Sequence, residues 1–125
     1  MVMNKVSLGK QGEGLAASLL KKNGYRIVGR NVRSRFGEID LVARDGPALC
    51  FIEIKTRTGF RFGLPEESVT PQKRWRLTRL ARWYLQFHRL EDLPVRFDVV
   101  SLLIAPDGKV GRSRLIRGAF DAVIQ

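Results

Sequence analysis

Hydrophobic and polar positions in the first half of the chain follow first a helical spacing and then a strand-like spacing. Apolar residues recur at helical intervals over residues 7–23, and Gly24 favours a stop directly after them. Three stretches that are β-branched, alternating or continuously apolar then predict strands. Because Asp45, Gly46 and Pro47 favour a turn before the third stretch, an antiparallel meander is expected. The predicted strands cover residues 25–32, 37–44 and 48–57.

The second half of the chain predicts a loop, a second helix and two more strands. Residues 57–68 have loop character, and Thr70 and Pro71 are the residue types that favour the N-cap and the first position of a helix. Strands are expected over residues 95–105, buried on both faces, and over 109–116. The inward stripe of the second helix is predicted to consist of Leu77, Leu80, Ala81, Tyr84 and His88.

The order αβββαββ predicts one α/β domain that spans residues 1–125, with a central mixed sheet flanked by helices. We expect its core over residues 7–105 and a C-terminal strand and tail over 106–125. A chain of 125 residues has the length of one ordinary domain.

The charge of the chain points to a polyanionic partner. Lys and Arg number 23 against 12 Asp and Glu, which gives a formal net charge of +11. Nucleic acid is the expected partner, because basic side chains that neutralise phosphates release condensed counterions. The alternative is a basic protein that is merely soluble.

Cysteine and histidine content limits the other options. One cysteine, Cys50, cannot form an internal disulfide, and with one histidine, His88, no zinc site can be assembled. Cys50 is expected in the core, and His88 is expected to pack near a helix end. A cytoplasmic location is expected, because there is neither an N-terminal apolar stretch nor a window of about 20 apolar residues.

Three acidic residues, Glu38, Asp40 and Glu53, lie within apolar strands rather than in turns. Strand alternation predicts that Glu38 and Asp40 share a face opposite Ile39 and Leu41, and that Glu53 shares a face with Lys55. If the two strands form a hairpin, Asp40 and Glu53 become neighbours.

Neighbouring carboxylates favour a divalent cation. At about 5 Å apart they repel by roughly 3 kcal/mol at an effective dielectric of about 20. Mg²⁺ binds one or two protein carboxylates together with water and phosphate oxygens, and can activate the water. Lys55 is then placed to orient water or to stabilise transition-state charge, and Glu13 to add a ligand. The alternative is an ion-pair network between these acids and arginines.

An ordered series of short motifs resembles the YraN family of bacterial proteins, regarded as predicted nucleases. That family is similar to archaeal Holliday-junction resolvases and to the PD-(D/E)xK superfamily. The match is strongest over residues 9–85. The motifs are Gly12-Glu13, Gly24-Tyr25, Asn31-Val32-Arg33, Gly37-Glu38-Ile39-Asp40-Leu41, Phe51-Ile52-Glu53-Ile54-Lys55-Thr56-Arg57, Phe62-Gly63 and Lys73.

The resemblance implies a nuclease with a restriction-endonuclease-like fold, and our first hypothesis is that it hydrolyses phosphodiester bonds in DNA with Mg²⁺ or Mn²⁺. Its pattern puts an acid on the first helix, an acid on the second strand and ExK on the third, which Glu13, Asp40, Glu53 and Lys55 supply. Ile39 stands where many of these enzymes have proline. The hypothesis includes branched or structured DNA as the substrate, and the likeness to resolvases suggests a homodimer.

Further residues are candidates for contact with nucleic acid. The loop after the third strand interleaves basic and aromatic side chains, which suits phosphates and unstacked bases, although its aromatics equally suit covering the core edge. Asp98 opens an apolar strand, where it either joins the acidic cluster or, more simply, pairs with an arginine. Trp75 and Trp83 lie off the inward stripe, which suits a dimer contact. The candidate binding residues are Arg57, Phe60, Arg61, Phe62, Lys73, Arg33, Arg35 and Arg76.

Two alternatives to a nuclease remain on the sequence alone. The fold can hold DNA or RNA without cutting it, or its basic face can dock an acidic protein partner.

Overall fold

The computed structural model describes residues 5–58 and 69–123, with side chains from residue 9 onward. It contains two helices and five strands in the predicted order. The predicted loop residues Phe60, Arg61 and Phe62 lie outside the described residues. The elements are α1 (Lys5–Lys22), β1 (Arg26–Ser34), β2 (Gly37–Asp45), β3 (Ala48–Thr58), α2 (Pro71–Phe87), β4 (Val95–Ile104) and β5 (Val110–Phe120).

The five strands form one mixed sheet in the order β1-β2-β3-β4-β5. Neighbouring strands are antiparallel except β3 and β4, which run parallel and are connected through α2. A parallel connection needs such a crossover, whereas β2 and β3 need only a tight turn, in which Gly46 has φ +59°. The α/β class, the mixed sheet, the antiparallel meander and the element order are confirmed, and β5 runs to Phe120 rather than ending at residue 116.

Each face of the sheet carries one helix and one apolar core. Ala16 and Leu20 of α1 pack with Leu41, Ile52 and Leu102 on one face. On the other face, α2 packs over a second set of buried side chains that includes the predicted stripe. Cys50 is buried in the α1-side core, as expected. The α2-side core contains Leu77, Leu80, Ala81 and Tyr84 over Ile39, Val42, Leu49, Phe51, Phe97 and Val99.

Two predictions about side-chain direction are wrong. His88 is exposed rather than inward, because α2 ends at Phe87 and His88 leaves the helical conformation as its C-cap. Ile39 and Leu41 were expected on one face, but Ile39 packs in the α2-side core and Leu41 in the α1-side core. Strand β2 therefore changes face around Asp40, where its regular pairing with β3 ends.

Neither helix within residues 5–58 and 69–123 has the length and apolarity needed to cross a lipid bilayer.

Candidate active site

Asp40 lies where the β2–β3 hairpin loses its regular pairing. The ladder runs from Asp45–Ala48 to Leu41–Ile52, and Asp40 follows directly after it. There the Asp40 carboxylate accepts a hydrogen bond of 2.8 Å from the backbone N–H of Ile54. A side-chain oxygen thus satisfies a β3 donor and fixes the carboxylate beside β3, just beyond the last paired residues of the two strands.

Asn31 marks a second irregularity, on β1, between the pairs that Arg30 and Val32 form with β2. Its φ is +50°, a left-handed conformation that asparagine tolerates better than most residues. Its side-chain amide donates a hydrogen bond of 2.6 Å to the carboxylate of Glu13 on α1. The irregular strand thereby holds Glu13 toward the sheet.

A cavity of about 200 Å³ opens on the α1 side of this region. Glu13 and Asp40 both line it, as the resemblance implied. Its other lining residues are Gly9, Asn31, Ile54 and Thr56.

Glu53 and Lys55 share a face of β3, as predicted. They continue the row of Leu49 and Phe51, whose side chains pack toward α2. Lys55 Nζ lies 3.3 Å from Glu53 Oε1, and the two side chains are only 16% and 15% exposed. An ion pair this sheltered from water is screened less than a surface pair.

The pKa of Asp40 is raised to about 6. Burial is the largest cause, and repulsion from Glu53 is the next. The hydrogen bond from Ile54 and the charge of Lys55 lower this pKa without cancelling the rise, to which Glu38 also adds. Asp40 and Glu53 are therefore close enough for their charges to interact, as the hairpin predicted.

Lys73, in the first turn of α2, lies beside Lys55. The side chain of Lys55 is the main cause that lowers the pKa of Lys73, followed by partial burial and the charge of Lys55. Arg76 also acts on Lys73, so three basic side chains lie near Glu53. A group of positive charges like this one suits an anion such as phosphate.

Glu13, Asp40 and Glu53 do not form one cluster of three acids. Within residues 5–58 and 69–123 no group of three His, Cys, Asp or Glu side chains is placed to hold a metal ion. Glu13 is bonded to Asn31 on the α1 side, whereas Glu53 continues the α2-facing row. Mg²⁺ needs only one or two protein carboxylates and takes water for its other ligands, so Asp40 and Glu53, two carboxylates whose charges interact, have the donor chemistry that suits Mg²⁺ or Mn²⁺.

The two additional acids have other partners. Glu38 pairs with Arg33 at 3.4 Å, with 38% and 80% of their side chains exposed, so this pair contributes little to stability. Asp98 is fully buried and accepts hydrogen bonds from Tyr25 at 2.6 Å, from Arg96 at 2.8 and 3.0 Å, and from the backbone N–H of Gly118 at 2.9 Å. The arginine partner, rather than the acidic cluster, is the alternative that the structure supports for Asp98.

The remaining predicted binding residues spread around the α2 side and the strand ends. Arg57 is half-buried near the end of β3, whereas Arg33, Arg35 and Arg76 are exposed. Asn31 was not predicted as a site residue. The motif Asn31-Val32-Arg33 contained it, but only the backbone conformation shows that it holds Glu13.

The fold and the site together define a class of protein. It is an α/β domain in which two interacting carboxylates on neighbouring strands lie beside two neighbouring lysines. Residues 12–102 match the family described as Uncharacterised protein family UPF0102, and the chain belongs to that family. A UPF0102 protein of Symbiobacterium thermophilum is 53% identical over 115 residues, which cover 92% of this chain and 97% of that protein. UPF0102 proteins of Syntrophus aciditrophicus and Moorella thermoacetica are each 45% identical, over 90% and 96% of this chain and 87% and 100% of theirs.

Proposed function

We propose that this protein is a Mg²⁺- or Mn²⁺-dependent nuclease that hydrolyses phosphodiester bonds in DNA, with branched or structured DNA as the expected substrate. Asp40, Glu53 and Lys55 form its centre. The observation that carries the proposal is that the half-buried Asp40 carboxylate is held on the backbone N–H of Ile54, between Glu53 and Lys55 in sequence on β3. Its raised pKa agrees with this position, because repulsion from Glu53 acts on it more strongly than attraction from Lys55. Perturbed carboxyl groups of this kind are concentrated at functional sites.

The same chain shows what the alternative, a structural ion pair, does to a carboxyl group. Arg96 lies 2.6 Å from Asp45 and lowers its pKa, with help from Arg117. The shift of Asp40 has the opposite sign. A purely structural ion-pair network is therefore a poor description of Asp40.

Each polar residue has a distinct part in the proposed reaction. Asp40 and Glu53 would hold the metal ion, which when bound neutralises phosphate charge and makes water a stronger nucleophile. Lys55 is held by Glu53, so its ammonium group is positioned to contact a phosphate oxygen or to orient the attacking water. Glu13 borders the cavity and can accept hydrogen bonds from water there.

The net charge of +11 supports nucleic-acid binding whether or not cleavage follows. A module that binds DNA or RNA without cutting it is favoured by one observation, namely that the described residues gather no three-acid cluster. Docking of an acidic protein has no separate structural support.

The test is cleavage of a four-way DNA junction, a linear duplex and a single-stranded RNA with Mg²⁺ or Mn²⁺. Asp40→Asn, Glu53→Gln and Lys55→Met should each reduce the rate by about 100-fold or more, because each removes charge at the reacting phosphate. Glu91→Gln, an exposed acid outside this site, is the matched control. Equal cleavage by all three variants and the wild type would rule the centre out, and salt-sensitive binding without cleavage would favour the binding module.

A further inference from the structure

A larger cavity, of about 440 Å³, lies between the β1–β2 turn and the beginning of α2. Two aromatic rings and three basic side chains account for most of its lining. Its lining residues include Phe36, Gln72, Lys73, Trp75, Arg76 and Arg79.

The aromatic rings are fixed by the guanidinium group of Arg79. This group lies 4.6 Å from the centroid of the Phe36 ring and 4.7 Å from that of Trp75. Arg35 lies over Phe36 as well, at 5.0 Å. These contacts join the β1–β2 turn to α2 and keep flat apolar and cationic surfaces together at the cavity.

Among the described residues that line the cavity, every charged side chain is basic, namely those of Lys73, Arg76 and Arg79. A ligand that matches these walls has a flat face for stacking and a negative charge nearby. A nucleotide has both, since its base stacks on aromatic rings and on guanidinium groups while its phosphate meets lysine and arginine.

The cavity adjoins the candidate active site through Lys73. This lysine lines the cavity and at the same time lies beside Lys55, the partner of Glu53. A chain of phosphates that passes Lys55 and Lys73 therefore brings a neighbouring base to Phe36 and Trp75.

We propose that this cavity binds an unpaired nucleotide of the nucleic acid, directly beside the phosphate at Lys55. Bases within a duplex are stacked on each other, so only a nucleotide outside the stack can offer its face to these residues. Cleavage of this phosphate rests on the proposed function, whereas binding of the unpaired nucleotide does not. The substrate class is nucleic acid with a single-stranded tail, flap or unpaired junction nucleotide.

The test compares a blunt DNA hairpin with the same hairpin carrying a short single-stranded tail, by fluorescence anisotropy in EDTA. The wild-type protein should bind the tailed hairpin more tightly. Trp75→Leu and Arg79→Gln should each reduce this preference by about tenfold, because stacking of one base is lost. Arg89→Gln, which removes an exposed arginine elsewhere, controls for charge and should keep the preference. Circular dichroism checks that each variant is folded.

A second measurement detects the stacking itself. In a Trp83→Phe background Trp75 is the only tryptophan, and the tailed hairpin should quench its fluorescence more than the blunt one does. Equal affinity of the wild type for both hairpins, or a preference that both Trp75→Leu and Arg79→Gln retain, would overturn the inference.

The outcome is separable from that of the cleavage test. Because binding is measured without metal, Asp40→Asn should retain the tail preference even when it cannot cleave. A protein that cleaves but shows no tail preference contradicts this inference alone. A protein that shows the preference but never cleaves contradicts the proposed nuclease alone.

Discussion

Asp40 and Asp45 lie on the same strand, yet the pKa values of their carboxyl groups shift in opposite directions. Asp45 is hydrogen-bonded by Arg96 and Arg117, which favour its charged form. Asp40 is half-buried near Glu53, and both its partial burial and the charge of Glu53 favour its neutral form. At neutral pH the charge on Asp45 therefore stabilises the fold, whereas the charge on Asp40 costs stability that a bound cation would recover.

We predict that Asp40→Asn stabilises the metal-free protein at pH 7.5 by about 1 to 3 kcal/mol. The pKa of Asp40 is about 6 in the folded protein against an ordinary value of 3.8, so the native state binds more protons between these values and loses stability as the pH rises through them. An amide oxygen keeps the hydrogen bond from Ile54 while the charge is removed. Urea unfolding at pH 7.5 and near pH 4 should show a difference that disappears at the lower pH.

The control for this prediction is Asp45→Asn. The lowered pKa of Asp45 contributes stability above the unfolded-state pKa, so this substitution should destabilise the protein at pH 7.5. If Asp40→Asn also destabilises at pH 7.5, Asp40 is a structural residue and not a strained functional one.

At the scale of elements, the close approach of α1 to β3 depends on Gly12 and not on Gly14, two residues further along the helix. A Cβ atom on Gly12 would lie 2.6 Å from Thr56 Oγ1, whereas one on Gly14 would meet nothing within 4 Å. Gly12 precedes Glu13, and Thr56 lines the same cavity as Glu13. The close contact at Gly12 thus sets how near Glu13 comes to Asp40.

Alanine substitution should therefore have opposite effects at these two positions. Gly14→Ala should raise the free energy of unfolding by about 0.5 to 1 kcal/mol, since alanine is the better helix former. Gly12→Ala should lower it by about 1 to 3 kcal/mol, because the side chain of Thr56, whose Oγ1 lies 2.6 Å from the added Cβ, must move aside. Thr56→Ala in the Gly12→Ala background should restore most of the loss. Urea unfolding measures all four proteins, and an equal effect of the two glycine substitutions would show that α1 does not approach β3 this closely.

Across the whole molecule, the sequence predicted the elements better than the direction of single side chains. The helix start at Thr70 and Pro71 depends on local chemistry, and Thr70 does accept a hydrogen bond from the N–H of Lys73. The change of face between Ile39 and Leu41 depends instead on where β2 stops pairing with β3, which alternation alone cannot show. The cavity beside Phe36 was missed for a related reason, because the β1–β2 turn and α2 meet only in the folded chain.

The basic residues also divide into groups that only the tertiary structure separates. Arg96 and Arg117 are paired with Asp45 and hold strands together, so they contribute little to a binding surface. Lys55, Lys73, Arg76 and Arg79 instead follow one another from the candidate centre to the larger cavity. Four basic side chains therefore lie in a row that begins at the candidate centre and ends at the larger cavity.

Calorimetric titration with Mn²⁺ tests most directly whether Asp40 and Glu53 form a metal centre. The wild type and the Glu91→Gln control should bind Mn²⁺, and Asp40→Asn and Glu53→Gln should each weaken binding by about tenfold or more, because each removes a carboxylate ligand. Absence of Mn²⁺ binding by the wild type, or wild-type affinity in both variants, would contradict a metal centre at these residues.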